Sequence, residues 1–258
     1  MDLLCSLSLH LRREVVKCKM ALEEKGFKVT HPTLADLDTI WAFLVEHFLP
    51  DEPFCRSFGV LEKATWVDRF VQNEMRSNLI SPCLENDTSI LLWDSEGEIA
   101  GVKLGHPISI TDPVKTLPRL EFLRSLRWII PEKLYKMTYV TEFLLSPDYC
   151  HLEPRAILKN AKADKVFFGE ILCVSKEHRG KRLSTDLIER SMKIAQDHGC
   201  QGYIVQSTGI YSQNAYQNHA HFELLKELKY ADFKDGMVKV VFNDTREHKT
   251  CKILYKTL

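Results

Sequence analysis

Hydrophobic and polar positions near the start of the chain predict a short strand followed by a long helix. Residues 26–30 alternate between apolar and polar side chains, as a half-buried strand does. Residues 34–48 carry apolar side chains at helical spacing, and Thr33 and Asp36 precede the apolar run with the spacing of a capping box. The predicted helix ends before Pro50. Its buried face consists of Leu37, Ile40, Trp41, Leu44, Val45 and Phe48.

A loop, a second helix and a hairpin are predicted next. Residues 49–59 contain prolines and charges without a clear period, which indicates a loop. Residues 88–94 and 99–105 are apolar, β-rich runs joined by DSEGE, whose Gly and acidic residues suit a tight turn, so the two runs are expected to pair antiparallel. The stripe of the second helix consists of Val60, Ala64, Val67, Val71 and Met75.

The middle of the chain is less regular than its flanks. Residues from about 106 to 160 predict a helical, irregular insert interrupted by prolines. After it, residues 165–174 form a ten-residue run bounded by charges, typical of a buried central strand, and 179–199 predict a helix closed by Gly199. The inner face of that helix consists of Leu183, Leu187, Ile188, Ser191 and Ala195.

Four short elements complete the prediction. Residues 202–207 indicate a second buried strand, 211–222 a short helical piece, and 237–242 and 251–258 two closing strands. This order predicts a mixed α/β fold in which a central β–α–β unit is available for a nucleotide.

Composition narrows the class of protein. Of the 258 residues, 45% are apolar and 27% charged, which is the composition of a folded globular chain. The 35 basic residues balance the 35 acidic ones, so no net charge attracts nucleic acid or anionic lipid. We expect a small-molecule enzyme with one domain over 23–258, a monomer or weak dimer, and no nucleic-acid or membrane partner.

The cysteines and the first residues bear on location. The eight cysteines show no CxxC or comparable metal spacing and predict reduced thiols in an intracellular protein. Residues 1–11 are mildly apolar but lack the basic region and cleavage site of a secretory signal. No run approaches the roughly 18 apolar residues of a membrane span. We therefore expect a cytoplasmic protein, with residues 1–22 as an N-terminal extension of unknown role.

Residues 171–191 run from the buried strand through a basic loop directly into a helix. First-turn amides of a helix lack internal partners and lie at the positive end of its dipole, so they suit a pyrophosphate. Arg179, Lys181 and Arg182 would add positive charge, and Gly180 lets the backbone approach closely. A solvated basic helix start is the alternative interpretation.

This stretch resembles motif A of the GNAT superfamily of N-acetyltransferases, in which a strand, a loop and an Arg-Gly-x-x-Leu helix start hold the pyrophosphate of coenzyme A. Arg179 matches the family pattern, but Arg182 stands where the pattern has Gly and Ser184 where it has Gly or Ala. The side chain of Arg182 is therefore expected to point outward. The resemblance implies that acetyl-CoA is bound by Leu172, Cys173, Val174, Arg179, Gly180, Lys181, Arg182, Leu183 and Ser184.

Three further segments resemble the invertebrate arylalkylamine N-acetyltransferases and occur in the same order: FLPDEP at 48–53, STGIYS at 207–212, and 230–242. The resemblance implies the GNAT acyl-CoA N-acyltransferase fold, an α/β (α+β) architecture with a mixed central sheet flanked by helices. One departure is His221, which replaces the glycine of the family's Leu-Gly-Phe run. Thr208 is another departure, because the family usually has Ser there.

The family's general base corresponds to Glu52. Alkylamines have pKa values about three units above pH 7, and an ammonium group cannot attack a thioester, so a base is required. Glu52 should be partly desolvated, with a raised pKa, and Pro53 restricts its backbone to extended conformations. Asp51 competes for the role of general base. The alternative interpretation is that these acidic residues form a charged surface turn after the helix.

Three hydroxyls compete as the acid that protonates the coenzyme A thiolate. Thr208 and Ser212 correspond to the family's paired hydroxyls and would share a helix face if the helix began near residue 208, with Tyr216 one turn further on. The alternative roles are an N-cap for Thr208, a helix-surface hydroxyl for Ser212 and a packed aromatic for Tyr216. Strand amides near Cys173 and Val174 would meet the oxyanion.

A covalent mechanism and a metal site are less well supported by the sequence. Cys173, with His178 nearby in sequence, could form an acyl-enzyme, but a buried strand cysteine is usually a core residue. His219 and His221 are two positions apart, which does not suit a metal site on a helix. The mechanism expected here uses no metal.

The leading hypothesis is acetyl transfer from acetyl-CoA to the primary amine of an arylalkylamine such as dopamine, serotonin, tryptamine or octopamine. Alternatives are a GNAT enzyme that acts on polyamines or agmatine or uses a longer acyl-CoA, and a catalytically silent coenzyme-A-binding regulatory module. The aromatic walls of the amine pocket are expected from Phe48, Phe54, Tyr139, Phe143 and Tyr149.

Overall fold

A computed structural model gives the fold. It describes residues 22–23, 25–59, 65–109, 111–112, 128–145, 163–235 and 239–258. Several predictions lie outside the described residues: the N-terminal extension up to residue 21, most of the insert at 106–160, and the side chains of Val60, Ala64 and Tyr149.

The described strands form a mixed seven-stranded sheet and a separate two-stranded sheet. The strands are β1 Lys28–Thr30, β2 Ile90–Trp93, β3 Ile99–Ser109, β4 Lys165–Val174, β5 Gly202–Ser207, β6 Glu223–Lys229, β7 Lys234–Asp235, β8 Lys239–Val240 and β9 Thr250–Thr257. The order across the large sheet is β1-β2-β3-β4-β5-β9-β6. Pairing in this sheet is antiparallel except between β4 and β5, which are parallel and joined through a helix.

Helices cover both faces of the large sheet. The α-helices are α1 Leu37–His47, α2 Pro53–Phe58, α3 Trp66–Met75, α4 Glu132–Leu145, α5 Leu183–Asp197 and α6 Ile210–Asn214. Tight 3-10 turns occupy Leu34–Asp36, Ser81–Leu84, Lys176–His178 and Tyr230–Asp232, and π-helical turns follow α3 at Arg76–Ile80 and α6 at Ala215–His219.

The core is divided by the sheet into two layers. On one face, Ile40 and Leu44 of α1 pack against Val102 and Ile171. On the same face an aromatic cluster joins α2 and α4 to the strands, and its rings are those of Phe54, Phe58, Tyr139, Phe143, Tyr230, Phe233 and Phe242. On the other face, α5 buries the five side chains predicted from its spacing. Burial of these apolar surfaces is the main force that holds the helices on the sheet.

Two segments differ from the sequence prediction because they are short or exposed. Residues 49–59 contain α2, six residues that begin with Pro53 after the N-cap residue Glu52, and so brief a helix has too few turns to show a period. The strand β6 was missed because its sequence, ELLKELK, lies mostly exposed at the edge of the sheet.

The predicted boundaries of two further elements also shift. Of the predicted strand at 237–242, the structure describes residues 239–242, in which β8 is the strand and pairs with β7 instead of closing the large sheet. The strand β3 runs on through 106–109, so the first residues assigned to the helical insert are strand. Proline has no N–H group to donate to a neighbouring strand. Pro107 is tolerated in β3 because β2 pairs with β3 only as far as Lys103, so β2 does not require a hydrogen bond from Pro107.

Two positions at which the family pattern has glycine adopt left-handed backbone with larger residues. The φ angle is 61° at Arg182 and 57° at His221. Left-handed conformations crowd the Cβ atom of an L-residue against the backbone, which is why glycine is favoured at such positions. The turns are therefore kept at both positions, with some backbone strain.

We expect His221→Gly to raise the free energy of unfolding by about 0.5–1 kcal/mol, because relief of the left-handed strain exceeds the added freedom of the unfolded chain. His219 is the matched control: it is also exposed but lies in the π-helical turn, so His219→Gly should lower stability by about 1 kcal/mol. Urea unfolding of the two variants measures both. Equal losses would contradict the assigned backbone strain.

Candidate active site

The parallel strands β4 and β5 separate part of the way along their length. They pair from Val166 opposite Gly202 to Gly169 opposite Val205, after which β4 continues beside β3 and β5 beside β9. At the same point Glu170 is an extra residue in β4, since Leu104 faces Ile171 and Gly105 faces Gly169. A bulge of this kind bends its strand. We call the resulting gap between β4 and β5 the fork.

The free edge of β4 inside the fork presents backbone donors. The N–H of Ser175 donates to the carbonyl oxygen of Ala100 on β3 over 2.9 Å. Because successive residues of a strand direct their N–H groups to opposite sides, those of Leu172 and Val174 point the other way, toward the fork. Of the amides predicted to meet the oxyanion, that of Val174 therefore faces the fork and that of Cys173 faces β3.

The loop from β4 to α5 has the geometry of an anion site. Gly180 has a φ of 78°, and a Cβ added there would meet nothing within 4 Å, so the backbone is open to a ligand. Lys181 and Arg182 are exposed, and Arg182 therefore keeps its side chain outward as expected. The 15-residue helix α5 begins at the next residue, with its first-turn amides at this end.

Arg179 connects this loop to the segment that carries Glu52. Its guanidinium donates to a carboxylate oxygen of Asp51 over 3.0 Å and to the carbonyl oxygen of His47 over 3.1 Å. Arg246 lies 3.6 Å from the other oxygen of Asp51. Two guanidinium groups thus hold the partly exposed carboxylate of Asp51, which does not belong to the pocket lining described below.

A pocket with a cavity volume of about 190 Å³ lies at the fork. Glu52 and Glu170 are its acidic residues, while the other lining residues are mainly apolar. The lining consists of Phe48, Glu52, Phe54, Cys55, Phe58, Met75, Leu79, Met137, Val140, Leu144, Phe168, Gly169, Glu170, Ile171, Gln206 and Thr208.

Glu52 is the buried carboxylate of this pocket, with 8% of its surface exposed. As the N-cap of α2 it has extended backbone, and its Oε2 accepts the N–H of Cys55 over 2.8 Å. Burial raises its pKa, and hydrogen bonds from Cys55, Phe54 and Thr208 act in the opposite direction. The net direction is upward, so Glu52 binds a proton more readily than an exposed glutamate.

The three candidate hydroxyls lie in different surroundings. Thr208 lines the same pocket as Glu52, and its side chain acts to lower the pKa of Glu52. Ser212 bonds to the hydroxyl of Ser207 over 2.6 Å and to the carbonyl oxygen of Gly209 over 2.9 Å. The expected common helix face is not formed, because Gly209 keeps extended backbone and α6 begins only at Ile210.

Tyr216 lies on the other face of the sheet. It packs against Phe222, with ring centroids 5.0 Å apart, and belongs to the same buried cluster as Tyr203. Burial raises its pKa well above the usual value, which disfavours the ionised form. This environment is that of a packed aromatic, and its role as an acid stays a prediction.

Cys173 and His178 do not form a nucleophile–base pair in the structure. Burial raises the pKa of the Cys173 thiol to about 12, which keeps it protonated and weakly nucleophilic. His178 bonds instead to the hydroxyl of Ser175 over 2.8 Å and lies 3.7 Å from the carboxylate of Asp94.

The pocket walls agree in part with the aromatic residues expected from the sequence. Phe48 and Phe54 line the pocket, whereas Tyr139 and Phe143 pack behind it in the aromatic cluster. The face of α4 turned to the pocket is apolar but not aromatic, and it consists of Met137, Val140 and Leu144.

Three polar or thiol side chains of the pocket were not predicted from the sequence. These are Cys55, Glu170 and Gln206. Cys55 could have been found as the N3 position of a helix capped by Glu52, but no signal marked Glu170 as the extra residue of a bulge. A bulge arises from the pairing of two strands and leaves little trace in one of them.

Solved structures with a similar fold include several N-acetyltransferases. Arylalkylamine N-acetyltransferase 2 from Aedes aegypti matches with a TM-score of 0.69 and 24% identity, over 90% of this chain and 98% of that one. Drosophila melanogaster polyamine N-acetyltransferase matches with a TM-score of 0.63 and 18% identity, over 90% and 100%. An agmatine N-acetyltransferase gives 0.64 and 18%, over 90% and 100%. At these identities the likeness shows the acetyltransferase fold.

The family follows from the sequence itself. The profile of the acetyltransferase (GNAT) family matches residues 41–222, which include the fork, the loop before α5 and Glu52. The chain belongs to this family and is an acetyltransferase, which confirms the predicted fold and the resemblance. No curated protein sequence matches it.

The residues around the fork fit the coenzyme A that the family uses. An open glycine, exposed basic side chains and a long helix start suit a pyrophosphate, and the free amides of Leu172 and Val174 suit the amide and acyl groups of its extended arm. Over the described ranges, no cluster of side chains suitable for a metal ion is found. The same residues contain no helix that is both long and apolar enough to span a membrane.

The raised pKa of Glu52 predicts a pH-dependent cost to folding. Below the pKa that Glu52 has in the unfolded chain, its carboxyl group is protonated in both states. As pH rises above that value and through the higher pKa of the folded state, the native protein comes to carry a buried charge, so stability is lost. Glu52→Gln should therefore be more stable than the wild type at pH 7, with the difference shrinking as pH falls toward 4.5. Urea unfolding between pH 4.5 and 8 measures it.

Glu96, an exposed residue of the turn between β2 and β3, gives the matched control. Glu96→Gln should show no such dependence. A Glu52→Gln variant that is less stable than the wild type at every pH would contradict the desolvation argument.

Proposed function

We propose that this acetyltransferase moves the acetyl group of acetyl-CoA to the primary amine of an arylalkylamine, with Glu52 as the general base. The observation that carries the proposal is the Glu52 carboxylate, which is buried at the fork among mainly apolar walls in a pocket that Thr208 also lines. Such a pocket can hold an apolar amine beside a group able to take its proton.

Glu52 makes the amine a nucleophile. An alkylammonium with a pKa near 10 gives up one proton to Glu52, directly or through a water, and the freed nitrogen attacks the thioester carbon. As the carbon–sulfur bond breaks and the amide bond forms, the nitrogen releases its second proton to water. Acetyl-CoA supplies the activated acyl group. The N–H of Val174 faces the fork, where it can stabilise the negative charge that develops on the carbonyl oxygen.

The coenzyme portion would be held by the residues expected from the family motif. Arg179, Gly180, Lys181 and Arg182, with the first-turn amides of Leu183 and Ser184, would bind the pyrophosphate. The free edge of β4 from Leu172 to Val174 would direct the arm of the coenzyme into the fork.

The proton required by the departing thiolate would come from Thr208. Thr208 lines the pocket together with Glu52, so its hydroxyl can give a proton to the thiolate and take back the proton that Glu52 has received from the amine. Ser212, bonded to Ser207, would support the local geometry. Tyr216 is buried in a cluster on the other face of the sheet and has less access to the thiolate.

Apolar and aromatic walls support an arylalkylamine such as dopamine, serotonin, tryptamine or octopamine. Phe48, Phe54, Phe58 and Phe168 offer rings that can pack against an aromatic substrate. The relatives of similar fold include enzymes named for arylalkylamines, agmatine and polyamines. A second candidate, an agmatine or polyamine acetyltransferase, is favoured by Glu170, whose carboxylate would attract a second cationic group.

Release of the coenzyme A thiol by purified protein tests the proposal, with acetyl-CoA and dopamine, serotonin, tryptamine, spermidine and agmatine as acceptors. We expect release with the aromatic amines and a loss of about 10²–10⁴-fold in kcat for Glu52→Gln, the contribution of a general base. Asp51→Asn, the control for the rival base, should leave the pH dependence of kcat in place.

Each alternative has its own outcome in this assay. Release only with spermidine or agmatine would keep the mechanism and replace the substrate class. Coenzyme A binding without release to any amine would indicate the regulatory module. Unchanged turnover in Glu52→Gln would remove Glu52 as the base.

Single substitutions separate the three hydroxyls. General acids typically contribute about 10²–10⁴-fold to kcat. If Thr208 gives the proton, Thr208→Val should therefore lower kcat by at least about tenfold. Tyr216→Phe should keep kcat within about twofold of the wild type, because Tyr216 would not take part in the proton transfer. Steady-state kinetics with one aromatic amine measure both. A larger loss in Tyr216→Phe than in Thr208→Val would reverse the assignment.

A further inference from the structure

Lys103, on β3, is a buried charge for which the proposed reaction has no use. Its side chain has 0% exposure, and its Nζ donates to the carbonyl oxygen of Leu104 over 2.7 Å and of Ile171 over 3.4 Å. The Nζ also lies 5.7 Å from the centroid of the Tyr203 ring, on β5. A single side chain thus contacts three adjacent strands of the sheet.

These contacts lie at the bulge. Ile171, the residue that follows the extra residue Glu170 in β4, faces Leu104 on β3. The Lys103 ammonium donates to the carbonyl oxygens of both residues. A Cβ added to Gly169 would come within 2.9 Å of the same Nζ. The ammonium therefore lies directly beneath the last residue at which β4 and β5 still pair.

Stability does not account for a lysine in this place. Removing an ammonium from water is costly, and replacing a buried ionic group by an apolar residue of similar size is often neutral or stabilising. Burial lowers the pKa of Lys103 to about 7, while the nearby Glu170 and Cys83 favour its charged form. Two backbone carbonyls and one aromatic face complete its surroundings.

We propose that Lys103 is a positioning residue that ties β3 to β4 at the bulge and thereby holds the fork open for coenzyme A. By fixing the carbonyl of Ile171 it sets the orientation of the strand that follows, whose N–H groups at Leu172 and Val174 face the fork. The inference rests on the proposed use of acetyl-CoA, since it assigns to Lys103 the alignment of the groups that would receive it.

The test compares Lys103→Met, which keeps the length and removes the donor, with the wild type. We expect the Kd for coenzyme A, measured by calorimetry, and the KM for acetyl-CoA to rise by at least about tenfold, the scale of losing a charged hydrogen bond or misplacing a binding group. The melting temperature should stay level or rise. Lys103→Gln, which keeps a neutral donor, should recover part of the affinity.

Lys256→Met is the matched control. Lys256 also donates to a backbone carbonyl, that of Ala220, and lies 5.9 Å from the ring centroid of Phe222. It belongs to β9 and pairs with Tyr203, near the end of β5 remote from the fork. Its replacement should leave the Kd for coenzyme A unchanged.

The outcomes separate this inference from the proposed function. If the wild type fails to bind coenzyme A, the proposed function fails. If the wild type binds and Lys103→Met binds equally well with an unchanged KM, only the inference fails. A further outcome is a higher Kd together with a lower melting temperature in Lys103→Met, with no recovery in Lys103→Gln. This outcome would also overturn the inference, because Lys103 would then stabilise the whole sheet and not specifically the fork.

Discussion

The extra residue in β4 is the constraint on which the rest of the site depends. A parallel pair of strands that continued in register would satisfy the backbone groups of both strands and leave no gap in the sheet. Because Glu170 faces no residue on β3, β4 bends away from β5 after Gly169, and the pocket lies where the two strands part. The sheet therefore supplies both the rigid frame of the enzyme and the opening for its substrates.

The helix α2 provides the second condition for chemistry. A carboxylate buried among apolar side chains needs hydrogen-bond donors, and the N-cap position supplies them from the backbone of α2 itself. The same helix places Phe54 and Phe58 in the aromatic cluster, so the packing of these rings fixes where the carboxylate lies. Burial and hydrogen bonding pull its proton affinity in opposite directions, which leaves a group that is ionisable and also basic.

Sequence patterns predicted the elements that depend on many residues of one period. The buried faces of α1 and α5, the strands β4 and β5, and the β2–β3 hairpin all follow from such periods. Periodicity could not predict α2, β6 or the bulge, because two are short or exposed and the third arises only when strands pair. Glu52 was found through resemblance, and its contact with Thr208 required the fold, since the two residues belong to distant parts of the chain.

Asp51 and Glu52 are neighbours in sequence but belong to opposite environments, one at the half-exposed surface with Arg179 and the other inside the pocket. Most connections between helices tolerate insertions and deletions over evolution. Here, counted from the end of α1, one residue added before Asp51 would move Asp51 into the position of Glu52, and one residue removed would move Glu52 to the position of Asp51 beside Arg179. The length of this connection is consequently as restricted as the identity of its residues.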